Sequence, residues 1–268
     1  MKDVQNTPDT RRIPVQKVGI KDLEYPVTVL DRRNESQHTL ARINMFVDLP
    51  HNLKGTHMSR FVDVMNRCRG RICAREIDTI LEAMVERFES ETAHLEIRFP
   101  YFIEKRAPVS GARSLMGYEC AFHATLDSKK KGGGFELVVE TRVPVTTLCP
   151  CSREISDKGA HNQRSTVTIK EVSESLVWIE DLIEIAESEA SSPLYPILKR
   201  EDEKYVTEQA YSNPVFAEDI VRSIALRLRA DERIFWYCVE TENYESIHNH
   251  NAYAMVTARR GPDGKWKH

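Results

Sequence analysis

Residues 74–107 read AREIDTILEAMVERFESETAHLEIRFPYFIEKRA, and the character of the chain changes partway along this stretch. In its first half, apolar residues recur every three or four positions, which predicts an amphipathic helix. These apolar residues are Ile77, Ile80, Leu81, Met84, Val85 and Phe88. The second half, from position 94 onward, predicts a β-strand. The stretch therefore predicts a helix that is followed directly by a strand.

Strands and helices are predicted on both sides of this stretch. The predicted strands lie at 40–50, 116–127, 134–147, 164–172, 233–243 and 251–260, with the Gly-rich hairpin SKKKGGG at 128–134. The other predicted helices lie within 51–68 and at 177–190, 199–211 and 213–230. In the strand at 40–50, the apolar residues Ile43, Met45 and Val47 alternate with other positions. In the helix at 213–230, Asn213 is the expected N-cap and Pro214 lies in the first turn.

Strand pairs flank helices in both halves of the chain, which predicts an α+β fold made of two tandem modules of antiparallel strands with paired helices. We assign these modules to residues 26–130 and 131–262. Residues 1–25 show no periodicity and are predicted to form a mobile arm, and residues 261–268 read as a tail. Antiparallel sheets of this kind leave edge strands, which another subunit can cover, so we expect an oligomer.

Composition narrows the class of protein and its surroundings. A net charge of −3 without long runs of one sign gives no reason to expect nucleic-acid or membrane binding. The sequence has no apolar run near the roughly 20 residues that a transmembrane helix requires. The N-terminal residues are too polar for a signal peptide, so we expect the protein in the cytoplasm. The six cysteines should be reduced there, and closely spaced ones favour metal binding or catalysis.

The stretch LCPCSREISDKGAH (148–161) gathers Cys149, Cys151 and His161. A disulfide across one intervening residue would be strained, and a closed structural zinc site usually has four ligands, often in two close pairs. An open catalytic metal site fits a thiolate and an imidazole better. Spacing alone leaves two further interpretations open: a reactive thiolate, or a small buried cysteine beside a loop histidine.

Three other segments carry carboxylates or histidines that chemistry can use. Residues 198–211 are rich in acidic side chains, most of which we interpret as a solvated helix face, although one carboxylate can complete a metal shell. Glu218 lies in the first half of a helix, where its charge is favourable, and it can also hold a ligand. The segment 242–254 places Glu245, His248 and His250 between two strands, and such groups suit acid–base chemistry near neutral pH.

The loop KGTHMSRF (54–61) offers cations before a helix. Lys54, His57 and Arg60 surround Gly55, and a loop of this kind can present positive charge and backbone N–H groups to an anion. It matches no Walker pattern, so the signal is weak by itself.

Taken together, these segments resemble the type IB GTP cyclohydrolase I family. The resemblance is carried, in order, by LPHNLKGTHMSRF (49–61), PVTTLCPCSREISDKGAHNQRS (144–165), KREDEKYVTEQAY (199–211), NPVFAEDIVR (213–222) and NYESIHNHNAYA (243–254). It implies a tunnelling fold that assembles into an oligomeric barrel, as a homotetramer with active sites at subunit interfaces. It also implies that GTP and water give 7,8-dihydroneopterin triphosphate and formate, the entry to tetrahydrofolate and to the deazaguanine of modified tRNA, queuosine.

The resemblance further implies roles for single residues. Cys149, His161 and Glu203 are the implied ligands of a divalent metal, Zn²⁺ or Mn²⁺ with Fe²⁺ also possible. Glu218 is the implied guanine anchor, and the reacting end is lined by Cys149, Cys151, Glu245 and His248. For the triphosphate we infer cations, namely Lys54, His57, Arg60, Arg153, Lys158 and Arg164. The alternative is a metal-independent thiolate enzyme of the same fold that acts on a pterin or deazaguanine substrate.

Overall fold

The structure is a computed structural model that describes residues 5, 7–68, 76–130 and 134–268. The strands are β1 (Val15–Asp31), β2 (Glu35–Leu49), β3 (Thr92–Arg106), β4 (Arg113–Asp127), β5 (Phe135–Leu148), β6 (Asn162–Ser173), β7 (Ser192–Pro193), β8 (Ile234–Asn243), β9 (Ala252–Arg260) and β10 (Trp266–Lys267). The helices are α1 (Ser59–Cys68), α2 (Ile77–Phe88), α3 (Pro150–Ile155), α4 (Ile179–Ser188), α5 (Arg200–Ser212) and α6 (Ala217–Ala230). Of the hairpin predicted at 128–134, residues 131–133 lie outside the described part.

The chain divides into two compact units. The first comprises Met1–Pro100 with Ala121–Val138, and the second comprises Tyr101–Cys120 with Val139–His268. Their boundaries differ from the modules predicted at 26–130 and 131–262, because β3, β4 and β5 each contribute residues to both units.

In the first unit, β1, β2 and β3 form an antiparallel sheet in that order. The alternating residues predicted in β2 are buried, and so are Ile77, Ile80, Leu81 and Met84 of α2. Each apolar side chain buried in this way contributes about 1.5–3 kcal/mol. The rings of Phe61 in α1 and Phe88 in α2 stack with their centroids 4.2 Å apart. The helix and the strand predicted within 74–107 are both confirmed.

The structure corrects the mobile arm predicted over 1–25, because β1 begins at Val15 and pairs with β2 from Val15 to Asp31. The register of this pair shifts between Val15 and Val18 and again between Ile20 and Leu23. These irregularities interrupt the alternation of buried and exposed side chains, so the sequence of β1 does not show the pattern of a strand. Its hydrogen bonds to β2 stabilise the extended conformation instead.

In the second unit, β5, β6, β8, β9 and β10 pair in that order, all antiparallel, and β7 adds to β5. Helix α6 contacts β8 and β9 and buries Ile220, Ile224 and Leu228. The C-terminal tail ends in strand β10, and the rings of Trp266 and Tyr237 lie 5.1 Å apart between centroids. Among the described residues, no helix has the length and apolar character to cross a membrane.

The start of α6 differs from the prediction. The helix begins at Ala217, and Asn213 is instead the C-cap of α5, with its side-chain amide donating to the Ala190 carbonyl. The N-terminal turn of α6 is closed by Asp219, whose carboxylate accepts from the Phe216 N–H at 3.2 Å. Residues 213–216 therefore form a connection between two helices, and this connection reaches the site described next.

Candidate active site

The β5–β6 hairpin brings Cys149 and His161 together. Leu148 pairs with Asn162 at the end of the two strands, and the Cys149 N–H donates to the His161 carbonyl at 3.1 Å. The intervening residues form α3 and a return loop, in which Gly159 adopts a φ of +86°. A glycine takes this left-handed conformation without steric cost. Cys149 is the N-cap of α3, and Cys151 lies within that helix.

Two backbone hydrogen bonds add the other parts of the site. The Val215 N–H donates to the Leu148 carbonyl at 3.2 Å, which holds the connection before α6 against the end of β5. The Tyr244 N–H donates to the Arg164 carbonyl at 3.0 Å, which holds the segment after β8 against β6. Segments that are far apart in sequence therefore meet at one end of the second unit's strands.

A cavity of about 300 Å³ lies where these segments meet. Most residues around it come from the β5–α3–β6 region, the start of α6 and the segment between β8 and β9. Its lining comprises Cys149, Pro150, His161, Gln163, Val215, Phe216, Ala217, Glu218, Asn243, Glu245, His248, His250 and Ala252. Cys149, His161, Glu218, Glu245 and His248, which the sequence analysis singled out, are thus brought together.

His161 is at the centre of the contacts in this pocket. Its Nδ1 lies 3.0 Å from Gln163 Oε1 and 3.7 Å from a carboxylate oxygen of Glu245. The His248 ring meets it edge-on with the centroids 6.5 Å apart, and the rings of His248 and His250 stack at 5.1 Å. The segment after β8 bends, which places Glu245 in the same pocket as both histidines. Within the pocket, the Glu245 carboxylate lies beside His161.

Glu218 occupies the first turn of α6 and is exposed at the pocket wall. Negative charge is generally favourable at a helix N-terminus, and the carboxylate oxygens of Glu218 can accept hydrogen bonds. Cys149 is half-buried, and its Sγ accepts from the Ser152 N–H at 3.4 Å.

Two buried polar residues of the pocket were missed at the sequence level. Gln163 joins His161 to the interior through a hydrogen bond from its Nε2 to Thr147 Oγ1, at 2.8 Å. Asn243 is 4% exposed, and its Oδ1 has no hydrogen-bond partner among the described residues. Both lie at strand positions that face the protein interior, where a polar side chain is uncommon. A polar side chain at a strand position expected to be buried is the sequence feature that could have identified both residues.

Other predicted residues lie outside the pocket lining. Cys151 is exposed on α3, and Glu203 is exposed on α5. Arg153 lies over the ring of Tyr211, 4.9 Å from its centroid. Lys158 and Arg164 are exposed near the pocket's own segments but do not line it.

The predicted cations of the 54–61 loop belong to the first unit. Lys54 is exposed, while His57 and Arg60 are half-buried. Arg60 lines a separate cavity of about 300 Å³ in that unit, where two further guanidinium groups, Arg67 and Arg87, accompany it.

The pocket offers a thiol and an imidazole as donors for a metal. Cys149 and His161 form a mixed sulfur and nitrogen set of the kind zinc accepts, and the neighbouring Glu245 supplies a carboxylate near the imidazole. The described residues contain no ready cluster of three His, Cys, Asp or Glu side chains for a metal. Two of the three expected ligands, Cys149 and His161, therefore line the pocket, and the third, Glu203, does not.

Comparison with known proteins identifies relatives over nearly the whole chain. A family model described as type I GTP cyclohydrolase folE2 matches residues 1–254. A GTP cyclohydrolase FolE2 of Pelobacter propionicus is 58% identical over 262 residues, covering 97% of this chain and 100% of the relative. That of Geobacter sulfurreducens is 54% identical over 256 residues, with 96% and 97% covered.

Among solved structures, urate oxidases share the fold. Uricase from Arthrobacter globiformis superposes with a TM-score of 0.54 at 9% identity, over 92% of this chain and 94% of the other. Urate oxidase from Bacillus subtilis 168 gives 0.56 at 8% identity, over 91% and 99%. At such identities the likeness is one of fold alone, and it supports the α+β tunnelling fold predicted from sequence.

Proposed function

The chain belongs to the type I GTP cyclohydrolase FolE2 family, and we propose that it converts GTP and water into 7,8-dihydroneopterin triphosphate and formate, the first step of folate biosynthesis. One observation carries this proposal from the structure. A single pocket is lined by Cys149 and His161, by Glu218, and by Glu245 and His248, which come from three separate segments of the chain. Each group suits one requirement of the reaction.

Recognition of guanine is assigned to Glu218. The guanine edge presents N1–H and an exocyclic amine, and a carboxylate can accept both hydrogen bonds at once. The position of Glu218 in the first turn of α6 supports this role, since a helix N-terminus is a favourable place for a negatively charged acceptor. Adenine lacks this donor pair, so the site selects GTP over ATP.

A divalent metal, zinc or manganese, is assigned to Cys149, His161 and Glu203. When bound, the metal supplies the Lewis acidity that makes water a nucleophile at neutral pH. The two pocket donors, Cys149 and His161, support the assignment. Glu203 is exposed on α5, so completing the shell requires its side chain, or α5 itself, to move towards the pocket.

Proton transfer is assigned to His248 and Glu245. Water attacks C8 of the guanine, a C–N bond of the five-membered ring breaks, and formate is later released, so nitrogen and oxygen atoms must gain protons in turn. His248 suits delivery of protons near neutral pH. Glu245 contacts the His161 side of the pocket, where a carboxylate can take a proton from the attacking water. Cys151 is assigned to the edge of the reacting end.

The triphosphate requires cations, and we assign them to Lys54, His57 and Arg60. Family resemblance implies a homotetramer with active sites at subunit interfaces, so these groups can be supplied by a neighbouring subunit. The same product is also a precursor of the deazaguanine base found in modified tRNA. Reduced thiols at the site suit a cytoplasmic location.

The metal assignment is tested with Cys149→Ala. Loss of a cap interaction costs about 1 kcal/mol, so the variant should fold, but it should lose bound metal and at least 100-fold of its turnover. The readouts are metal content by mass spectrometry and formate release from GTP, with melting temperature as the folding check. Cys238→Ala is the matched control: Cys238 is buried away from the pocket, and burial raises the pKa of its thiol to about 11. Full activity of Cys149→Ala would contradict the site assignment.

Wild-type protein tests the alternative function, a metal-independent thiolate enzyme. Wild-type protein purified without chelators should contain a divalent metal and lose activity in EDTA, with recovery on adding Zn²⁺ or Mn²⁺. Metal-free protein whose activity EDTA leaves unchanged would instead support covalent attack by Cys149 or Cys151 on a pterin or deazaguanine substrate.

A further inference from the structure

The buried amide of Gln163 connects His161 to the interior of the protein. We propose that Gln163 is a positioning residue that keeps the neutral His161 imidazole protonated on Nδ1, which leaves the lone pair of Nε2 available to a metal. This inference rests on the metal role proposed above for His161. Gln163 has no role in the reaction assigned so far, since it offers neither acid–base chemistry nor charge.

The hydrogen bonds of Gln163 use both ends of its amide. Its Oε1 lies 3.0 Å from His161 Nδ1, and its Nε2 donates to Thr147 Oγ1 at 2.8 Å. The Thr147 hydroxyl in turn lies 2.7 Å from Ser165 Oγ. Gln163 and Thr147 are cross-strand partners in the β5–β6 ladder, so the strand register sets their separation. Thr147 and Ser165 are fully buried, and Gln163 is 8% exposed.

The direction of this chain follows from the neighbouring charge. An amide and two hydroxyls can hydrogen-bond in either direction, so the imidazole nitrogen could in principle donate or accept. A carboxylate oxygen of Glu245 lies 3.7 Å from the same Nδ1. A lone pair on Nδ1 would face that negative charge, whereas an N–H on Nδ1 is attracted to it. Nδ1 is therefore the donor, and the oxygen of Gln163 accepts.

The consequence concerns the other ring nitrogen. A neutral imidazole carries one hydrogen, so with Nδ1 protonated Nε2 holds a free lone pair, which is the form that binds a metal. Outer hydrogen-bond partners of ligating histidines commonly change metal affinity by about 10- to 100-fold. The contact from Gln163 Oε1 orients the His161 ring before any metal binds, whereas the hydrogen bond from Gln163 Nε2 to Thr147 contributes to the stability of the β5–β6 pair.

The test compares three variants in chelator-stripped protein. Gln163→Met keeps the length of the side chain but removes the acceptor, and it should bind Zn²⁺ and Mn²⁺ about 10- to 100-fold more weakly in a chelator competition assay. Gln163→Glu keeps an oxygen facing Nδ1 and should restore affinity to within a few-fold of wild type. Thr147→Val is the matched control, because it removes the interior partner of Gln163 without removing the acceptor. It should lower the melting temperature and leave metal affinity nearly unchanged.

A second readout needs no metal. Long-range ¹H–¹⁵N spectra of metal-free protein labelled at histidine, recorded at pH 8, report which ring nitrogen carries the hydrogen. The His161 signals can be assigned by their absence in His161→Gln. Wild type and Thr147→Val should show the Nδ1–H form. Gln163→Met, in which only the more distant Glu245 carboxylate faces Nδ1, should show a larger share of Nε2–H than wild type.

Two results overturn the inference: a His161 that is mainly Nε2–H in wild type, or unchanged metal affinity and tautomer in Gln163→Met. The wild-type spectrum decides the question even where Gln163→Met fails to fold. Wild-type protein that binds neither metal would overturn the proposed metal-dependent function, and the tautomer measurement would then judge this inference separately.

Discussion

Glu218 is the residue that we propose binds the guanine of GTP. Its replacement in Glu218→Gln keeps the size of the side chain but puts an amide donor where guanine also presents a donor. We expect KM for GTP to rise by about 10- to 100-fold while metal content stays at the wild-type level. Steady-state kinetics and metal analysis of one preparation measure both.

The neighbouring Asp219→Asn serves as the control for this experiment. It removes a negative charge from the same helix turn without touching the proposed guanine contact. A loss of metal in Glu218→Gln equal to the loss of GTP binding would place Glu218 in the metal shell instead, and an unchanged KM would remove it from the guanine site.

Glu171 is a buried carboxylate outside the pocket. It is fully buried in β6, and neither oxygen has a hydrogen bond of ordinary geometry among the described residues. Burial raises the pKa of Glu171 to about 7; the nearby Ser173 hydroxyl and the Arg233 guanidinium oppose this rise, and the Asp231 carboxylate adds to it. Because Glu171 binds its proton more tightly in the folded state, the folded state loses stability as the pH rises from the unfolded-state pKa of about 4.5 to the folded-state pKa of about 7.

Glu171→Gln should therefore be more stable than wild type at pH 8, by on the order of 3 kcal/mol, with the difference shrinking towards pH 5. Urea denaturation at pH 5, 6.5 and 8 measures this. The exposed neighbour Glu174 provides the control variant, Glu174→Gln, which should show no such pH dependence. A constant difference between Glu171→Gln and wild type across this range would show that Glu171 does not titrate as described.

At the scale of elements, α5 is anchored through Asp202. Its carboxylate accepts from the N–H groups of Val109 and Ser110 in the β3–β4 turn, from the Ser110 hydroxyl at 2.6 Å, and from the Lys199 N–H. Burial alone would raise the pKa of Asp202, but these hydrogen bonds, those of Ser110 first, hold it well below its usual range. The acidic cluster predicted at 198–211 thus contains one structural carboxylate beside the proposed ligand Glu203.

Asp202→Asn should lower the melting temperature and weaken metal binding, because the anchor that fixes the start of α5 also positions Glu203. Glu201→Gln, one residue earlier and exposed, should change neither the melting temperature nor metal binding.

The effect of Asp202 on stability also depends on pH. A carboxylate whose pKa is lowered by folding stabilises the folded state at pH values above its unfolded-state pKa, and this stabilisation is lost as the pH falls through the folded-state pKa. The gap between wild type and Asp202→Asn should therefore be constant near neutral pH and narrow below about pH 4. Wild-type metal affinity in a destabilised Asp202→Asn would argue against Glu203 as a ligand.

At the scale of the whole molecule, the proposed phosphate cations raise the question of which subunit supplies them. Lys54→Ala and Glu218→Gln should each reduce activity strongly. Where one subunit supplies Lys54 and another supplies Glu218, co-expressed chains carrying the two changes form some intact sites. Random assembly gives each interface site about a one in four chance of two intact contributors, so the mixed oligomer should regain about a quarter of wild-type activity.

Tandem purification on two different affinity tags isolates the mixed oligomers, and light scattering gives their mass. Wild type co-expressed with Glu218→Gln controls for the effect of mixing itself. Activity of the mixture no higher than that of the two single variants would place both residues in the same subunit's site, and a monomeric mass would overturn the proposed tetramer.

The sequence by itself determined the local elements. The apolar periodicity of 74–107 predicts α2 and β3, and alternation predicts β2, because these patterns depend only on which side of a helix or strand is buried. The short motifs also marked Cys149, His161, Glu218, Glu245 and His248 as residues worth attention. Local signals failed where contacts with distant segments decided the outcome. Strand pairing decided β1 and β10, and the connection 213–216, which Val215 bonds to Leu148, delays the start of α6.

Only the tertiary structure decided which chemical groups meet. The β5–β6 ladder joins Cys149 to His161, and the bonds from Val215 to Leu148 and from Tyr244 to Arg164 bring in Glu218 and Glu245. The same fold left Glu203 exposed on α5 and placed the unforeseen Gln163 behind His161. The physical reason is that periodicity records whether a side chain is buried, whereas strand register and backbone hydrogen bonds between remote segments decide which buried side chains become neighbours.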